Sequence, residues 1–325
     1  MTRGKKTDGL MRHLRDNKQM DINGSRQKKE LLQMGYYHGY KGYRFIKDKS
    51  DPIPLTKFDE LKAIYDFDMN LKSLLYPHIM TIETAVKNYT IDTLVPHGSI
   101  ELDYAFKHFL LDYKSEPVGS KDYNTKMKDR LTLKKKIDNE ISYKYAKNDI
   151  VTHFLRSDTM PLWAIFEIID MSTFGNFLKC LNQPLRIENA DNLGLTHTAV
   201  LNDGNLVHDI IFLLKPLRNA VAHNNVVFDC RFAGKTRARN SVKSYVNVET
   251  GVQQIQFKYL IDYFILIVLL LKKLGYNKTE LKKIIRLFQD ETELLRTKIP
   301  TSLWNRINGS DLNVKITDLT TYAQT

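Results

Sequence analysis

The chain has 325 residues, of which 42% are hydrophobic and 26% are charged, and its formal net charge is +12 at pH 7. The first two figures are typical of a globular protein with a buried core. The basic excess favours a polyanionic partner, nucleic acid above all. A solvated basic surface without such a partner is the alternative.

Cysteine usage and the apolar segments narrow the class further. Cys180 and Cys230 show neither paired spacing nor a His/Cys cluster, which argues against a disulfide framework and a zinc site and favours a reducing, cytoplasmic location. The first six residues lead into polar sequence, so no secretory signal is predicted there. Residues 257–271 carry Lys258 and Asp262 and are too short to span a bilayer. They are predicted to form a buried core helix, and no membrane association is expected.

Helical spacing of apolar residues dominates the chain and predicts an all-α fold. The predicted helices, in chain order, cover residues 57–94, 123–155, 161–180, 206–224, 256–274 and 278–297. Pro77 is expected to kink the first helix or split it in two, and Pro216 to kink or restart the fourth. Asn224 and Asn225 are expected to end that fourth helix, because asparagine tolerates the left-handed conformation.

The other segments are predicted to be mostly loops, with little β structure. Residues 182–205 are rich in Asn, Asp and Gly, residues 233–251 form a basic insert expected to be a loop or hairpin, and the segment from residue 300 is expected to be poorly ordered. The only strand candidates are 36–46 and 245–255. The predicted organisation is an N-terminal aromatic-basic segment at 1–50, a helical core at 51–275 with the insert, and a C-terminal helical extension at 276–325, packed as one unit.

A candidate site lies near the end of the fourth predicted helix, where Arg218, Asn219 and His223 occur within six residues. Asn219 and His223 are four residues apart and so share one helical face. Arg218 and His223 diverge by about 140° around the axis, but the long arginine can still reach the same pocket. The alternative is a histidine that binds the carbonyls of the last turn, with Arg218 in an ordinary surface ion pair.

Two acidic residues on otherwise apolar helical stretches, Glu83 and Glu167, are weaker candidates. An unpaired carboxylate would be costly in such surroundings, so either could hold Arg218 or His223 in place. The alternative is a partly exposed carboxylate at a helix edge.

Three basic or aromatic segments are candidate RNA contacts. The first combines stacking faces with charge, a mixture suited to single-stranded RNA, although tyrosine clusters are often core packing. The second is a lysine run on a helix and the third is the basic insert; an exposed charged face without function is the alternative. The residues are Tyr36, Tyr37, Tyr40, Lys41, Tyr43 and Arg44, then Lys128, Arg130, Lys134, Lys135 and Lys136, then Lys235, Arg237 and Arg239.

The string Arg218-Asn219-x-x-x-His223 resembles the Arg-x4–6-His signature of HEPN domains, an α-helical ribonuclease superfamily. Further segments resemble its abortive-infection group, the AbiD/AbiF-like proteins. They are Gly-Tyr-Tyr-His-Gly-Tyr-Lys-Gly-Tyr-Arg-Phe at 35–45, Leu-x-x-Ile-Tyr-x-Phe-Asp at 61–68, Ile-Glu at 82–83, Met-Pro-Leu-Trp at 160–163 and Phe-Gly at 174–175. The similar segments follow the family order from about residue 31 to 225.

The resemblance implies a HEPN-type helical bundle and metal-independent endoribonuclease activity, with no cofactor, in phage defence or toxin-like growth arrest. It also implies two motifs that face each other, hence a homodimer for a chain with one copy, and in some relatives control by a bound non-coding RNA. Arg218, Asn219 and His223 would carry the chemistry. An attack by the 2′-hydroxyl needs proton transfer, which suits histidine, and stabilisation of phosphate charge, which suits arginine.

Two rival functions remain open on the sequence. One is a helical module that binds RNA without cleaving it, and the other is an inert interaction protein. No glycine-rich phosphate loop, paired metal carboxylates or nucleophilic Ser or Cys triad is apparent, which argues against an NTPase, a metallonuclease and a triad hydrolase.

Overall fold

The computed structural model describes residues 4–156, 159–234 and 236–325. These residues form fifteen α-helices and contain three isolated β-bridges but no sheet, which confirms the all-α prediction. The helices are α1 Thr7–Lys18, α2 Gly24–Met34, α3 Phe58–Leu94, α4 Leu102–His108, α5 Lys121–Lys144, α6 Asp149–Leu155, α7 Leu162–Ile168, α8 Met171–Cys180, α9 Gln183–Asn192, α10 Leu206–Ala222, α11 Asn240–Thr250, α12 Leu260–Lys273, α13 Lys278–Arg296, α14 Thr301–Asn308 and α15 Leu312–Tyr322.

Helix α3 is the longest element, and it forms because apolar residues recur at steps of three and four over 37 residues. Two acidic residues in its first turn, Asp59 and Glu60, stabilise the helix because their negative charge interacts with the positive end of the helix dipole. The helix runs on through Pro77, so the alternative of two separate helices is wrong. Its buried face contacts α9, α10, α12 and α13, which makes α3 the scaffold on which the other elements are placed.

Helix α10 packs against α8 and α3 and carries the predicted site at its C-terminal end. It also runs through its proline, Pro216, without a break. Close packing with α8 depends on Gly175, because a Cβ atom there would lie 2.9 Å from the Phe212 ring and 3.2 Å from a methyl group of Ile211.

We therefore expect Gly175→Ala to destabilise the protein by about 1–3 kcal/mol through overpacking. The control is Gly9→Ala in α1, where the added Cβ would meet only the Lys5 side chain at ordinary contact distance. Thermal unfolding of both variants checks this. A Gly175→Ala variant as stable as Gly9→Ala would show that the two helices can move apart without cost.

Helix α12 is buried on all sides, since each residue from Leu260 to Leu271 is buried. This confirms the predicted core helix. Among the residues that the structure describes, no helix is both long and apolar enough to cross a membrane.

The N-terminal strand candidate is wrong, because Gly35–Lys41 form a π-helical segment after α2. The tyrosines there follow helical steps: Tyr36 and Tyr40 stack with their ring centroids 5.4 Å apart, and Tyr40 is buried. The wide turn requires glycine at position 39, where a Cβ atom would lie 2.7 Å from the carbonyl oxygen of Met34.

Other predicted elements also need correction. Residues 245–250 of the second strand candidate and most of the predicted loop or hairpin at 233–251 form α11, which ends at Thr250 and is followed by Gly251 in the left-handed conformation. The predicted loop at 182–205 contains α9, and the predicted helices at 123–155 and 161–180 are each two helices. The segment after residue 300 is not poorly ordered but forms α14 and α15, where Lys315 pairs with buried Asp262 of α12 at 2.7 Å.

Candidate active site

Arg218 projects from α10 towards α3, where Glu83 binds it. The guanidinium Nε atom donates to a Glu83 carboxylate oxygen at 2.9 Å, and the other oxygen pairs with Lys87 at 3.2 Å. The Glu83 side chain is 8% exposed and that of Arg218 is 27% exposed. The pair is thus partly buried, unlike the surface ion pair that the sequence left as an alternative, and the three groups together carry one net positive charge.

The outer edge of the guanidinium is available. Its Nη1 atom makes one long contact, 3.4 Å, with the side-chain oxygen of Asn219. Within the described part of the chain, Nη2 has no acceptor. Glu83 therefore orients Arg218 from behind and leaves an edge that can receive the oxygens of a phosphate.

His223 directly follows Ala222, the last residue of α10, whereas the predicted helix extended to residue 224 and included His223 in its last turn. Its backbone N–H still donates to the carbonyl of Asn219 at 3.0 Å, so the spacing of the two residues along the axis is kept. The side chain is exposed, and the imidazole makes no hydrogen bond with the described residues. The alternative of a ring bound to last-turn carbonyls is therefore wrong for this structure.

The chain turns away from the helix at Asn224, which adopts the left-handed conformation with φ 54°. The N–H of Asn225 bonds to the carbonyl of Ala220 at 2.8 Å, and that of Asn224 to the carbonyl of Val221 at 3.3 Å. These two bonds form the Schellman motif that satisfies the last carbonyls of a helix. The prediction that asparagine ends this helix is confirmed.

A buried carboxylate, Asp68 of α3, fixes the loop that follows. One oxygen accepts the backbone N–H groups of Val227 and Phe228, both at 2.7 Å. The other accepts the hydroxyl of Tyr43 at 2.6 Å and pairs with Lys72 at 2.7 Å. Burial and the nearby Asp68 charge raise the pKa of Tyr43 well above its ordinary value. The carboxylate thus joins three parts of the chain.

Lys72 extends this cluster to the motif, because its ammonium group donates to the side-chain oxygen of Asn224 at 2.8 Å. Lys72 and Lys87 were not among the residues singled out from the sequence, and Asp68 was named only as the last residue of the family-like segment at 61–68, without a role at the site. The detectable signal was a carboxylate and a lysine, four residues apart, on the apolar face of a helix.

The second acidic candidate, Glu167, lies elsewhere. It is exposed on α7 and has no hydrogen bond or ion pair with the described residues. The structure does not bring Glu167 to Arg218 or His223, and the alternative of an exposed carboxylate is correct.

The candidate RNA contacts divide by exposure. Tyr40 and Tyr43 are buried, so core packing is the correct interpretation for both. Tyr37 and Lys41 are exposed, and Tyr36 and Arg44 are partly exposed. Tyr36, Tyr37 and Lys41 form one cluster, in which the ammonium group lies 5.3 and 5.8 Å from the two ring centroids.

The basic candidates on α5 and in the insert differ in the same way. Arg130 is half-buried and donates to the carbonyls of Leu110 and Phe106, so it is a structural residue. In the insert, Arg237 is exposed, Arg239 pairs with Asp209 at 2.9 Å, and Lys235 lies outside the described residues. The exposed lysines of α5 are Lys128, Lys134, Lys135 and Lys136.

A family model described as Abi-like protein matches residues 29–229, more than half of the chain. The chain belongs to the Abi-like protein family. The match begins in α2 of this Abi-like protein and ends one residue after the backbone that Asp68 holds, so it includes the whole site. No curated protein and no solved structure gave a significant match.

The Abi-like site consists of cationic and amide side chains around one histidine. Among the described residues, no group of three or more His, Cys, Asp and Glu side chains could hold a metal ion. The charged groups near the motif are instead arranged in two pairs on α3, Glu83 with Lys87 and Asp68 with Lys72.

Proposed function

We propose that this Abi-like protein is an endoribonuclease of the HEPN type that acts in abortive infection. The observation that supports this most directly is the exposed imidazole of His223, five residues after an arginine whose guanidinium Glu83 orients and leaves partly free. An imidazole can transfer protons near neutral pH, and a guanidinium can stabilise charge on a phosphorane.

In the proposed reaction, the ribose 2′-hydroxyl attacks the adjacent phosphorus and the 5′-oxygen leaves. His223 accepts the proton of the nucleophile or donates one to the leaving oxygen, while Arg218 binds the non-bridging oxygens. Asn219 orients the scissile phosphate. The residues require no cofactor for these steps. The location proposed is the cytoplasm.

The chain carries one copy of the motif, and two proton-transfer steps need two suitable groups. We therefore propose a homodimer in which the two His223 residues act as base and acid across one composite site. A bound non-coding RNA is the proposed regulator, by the resemblance to abortive-infection proteins.

The test is RNA cleavage by the purified protein in the presence of a metal chelator. The proposal predicts products with a 2′,3′-cyclic phosphate and loss of cleavage when His223 is replaced. A wild-type protein that binds RNA but cuts none without metal would favour the binding module over the nuclease. Light scattering of the same sample measures whether the chain is a dimer.

Glu83 is proposed to position Arg218, and Glu83→Gln tests this. Hydrogen bonds to charged groups contribute about 1.5–3 kcal/mol, so we expect kcat/KM to fall about 10- to 100-fold. Glu167→Gln is the matched control, because the same change is made on an exposed acid without a partner. Equal activity of the two variants would show that Glu83 does not position Arg218 for cleavage.

A second substitution separates the effect of Glu83→Gln on catalysis from its effect on stability. Glu83→Asp keeps the charge but shortens the reach to Arg218, so it should restore part of the activity if orientation by a carboxylate matters. A purely structural role would instead make activity follow the melting temperature of each variant.

A further inference from the structure

A groove with a volume of about 450 Å³ lies between the π-helical segment Gly35–Lys41 and the turn after α10. Tyr37, Lys41 and Lys49 line one side, and Asn224 and Asn225 line the other. The two asparagines directly follow His223 in the chain. The groove is therefore lined by the residues next to the motif in the chain, although Arg218, Asn219 and His223 themselves are not among the lining residues.

The chemistry of the groove fits a nucleotide. Its lining contains two lysines and no carboxylate, so it favours an anion. Tyr37 is 71% exposed and offers an aromatic face on which a base can stack. The side-chain amides of Asn224 and Asn225 carry both donors and acceptors, as the edge of a base requires.

The shape of the groove selects an unpaired nucleotide. A concave space of this size can enclose one base with its phosphate, whereas a base inside a duplex is stacked on both faces and cannot enter.

Both sides of the groove are attached to one helix. Tyr43 lines the floor and donates to Asp68, and the same carboxylate binds the backbone just beyond the asparagines. Lys72 holds Asn224 directly. Helix α3 therefore sets the distance between the base-stacking side and the motif side. A fixed distance of this kind keeps a bound base in register with a reacting phosphate.

We infer that this groove binds one unpaired RNA nucleotide next to the scissile phosphate. Tyr37 stacks on the base, Lys41 and Lys49 bind the neighbouring phosphates, and the two asparagine amides contact the base edge. The inference rests on the proposed nuclease function for the position of the cut, but the binding of the nucleotide can be tested without cleavage.

The first experiment measures anisotropy of a fluorescein-labelled single-stranded RNA bound to the full chain carrying His223→Ala. Adding Tyr37→Ala and Lys41→Ala should raise Kd about 10- to 100-fold, given what aromatic stacking contributes. The matched control adds Tyr143→Ala and Lys147→Ala. Those residues form a similar exposed lysine–tyrosine pair at the C-terminal end of α5, with 4.1 Å between ammonium and ring centroid, and Tyr143 is 67% exposed.

The second experiment detects stacking itself and guards against misfolding of the alanine variant. RNAs with 2-aminopurine at successive positions are bound to the His223→Ala protein, and one position should lose fluorescence. The loss should persist with Tyr37→Phe and disappear with Tyr37→Ser. Equal Kd values for the groove and control variants, or no quenched position, would overturn the inference.

The outcomes separate the two proposals. If the wild-type protein cleaves RNA but the groove variant binds RNA as tightly as its control, the nuclease proposal stands and the nucleotide subsite is refuted. If the wild-type protein cleaves no RNA but the groove variant loses RNA binding, the subsite stands and the nuclease proposal is refuted.

Discussion

Replacing His223 by alanine should lower the rate of RNA cleavage about 10²- to 10⁴-fold, the usual contribution of a general acid or base. Stability should barely change, because the side chain is exposed and makes no hydrogen bond with the described residues. Surface substitutions of this kind usually stay within about 0.5 kcal/mol. Single-turnover cleavage and thermal unfolding measure the two effects on the same sample.

The control for that variant is His108→Ala. His108 is also exposed and also lies at the C-terminal end of a helix, in the last turn of α4. We expect wild-type cleavage from His108→Ala and wild-type RNA binding from His223→Ala. Cleavage by His223→Ala at the wild-type rate would contradict the proposed mechanism, since His223 is the histidine of the motif at 218–223.

Removing the Asp68 carboxylate should have the largest effect on stability. Asp68 is 0% exposed, and Asp68→Ala removes the ion-pair partner of Lys72 and the acceptor of the Tyr43 hydroxyl and of two backbone N–H groups. Breaking a buried ion pair on one side costs about 3–5 kcal/mol. This is a large part of the 5–15 kcal/mol by which proteins of this kind are stable, and urea unfolding measures it.

Helix α3 also provides the control for Asp68. Asp66 pairs with Lys62 at the same i, i+4 spacing, at 2.7 Å, but both side chains are partly exposed. Asp66→Ala should therefore cost no more than about 1 kcal/mol. Equal costs at the two positions would show that the buried cluster does not anchor the loop after the motif.

A double-mutant cycle tests whether Asp68 and Lys72 act as a unit. Lys72→Met removes the cation that Asp68→Asn would otherwise leave buried, so the double variant should be more stable than the sum of the single changes predicts. Strict additivity would mean that the two side chains do not interact in solution.

Local patterns predicted the elements that carry the site. Apolar residues at helical spacing identified α3, α10 and α12, because each helix buries one face or all of its surface. Asn224 marked the end of α10 because a left-handed residue stops the helix. Glu83 was recognised as a possible partner of Arg218 because a carboxylate in an apolar stretch requires a cation.

The same local patterns gave wrong predictions where two kinds of secondary structure have the same amino-acid composition. The tyrosine-rich segment has the aromatic content of a strand, but its glycines permit a π-helical turn and its buried rings follow helical steps. The predicted loop at 182–205 contains α9, in which even two of the buried residues, Arg186 and Asn189, are polar, and polarity alone does not distinguish a helix from a loop.

The amino-acid sequence by itself determined the helical class, the Abi-like family and the residues of the motif, because spacing and residue type act over a few positions of the chain. Only the tertiary structure decided which tyrosines face solvent, that Glu83 and not Glu167 binds Arg218, and that Asp68 holds a backbone 159 residues away. Such contacts depend on how helices pack, and a carboxylate buried at a helix crossing has the same local sequence signature as one exposed to water.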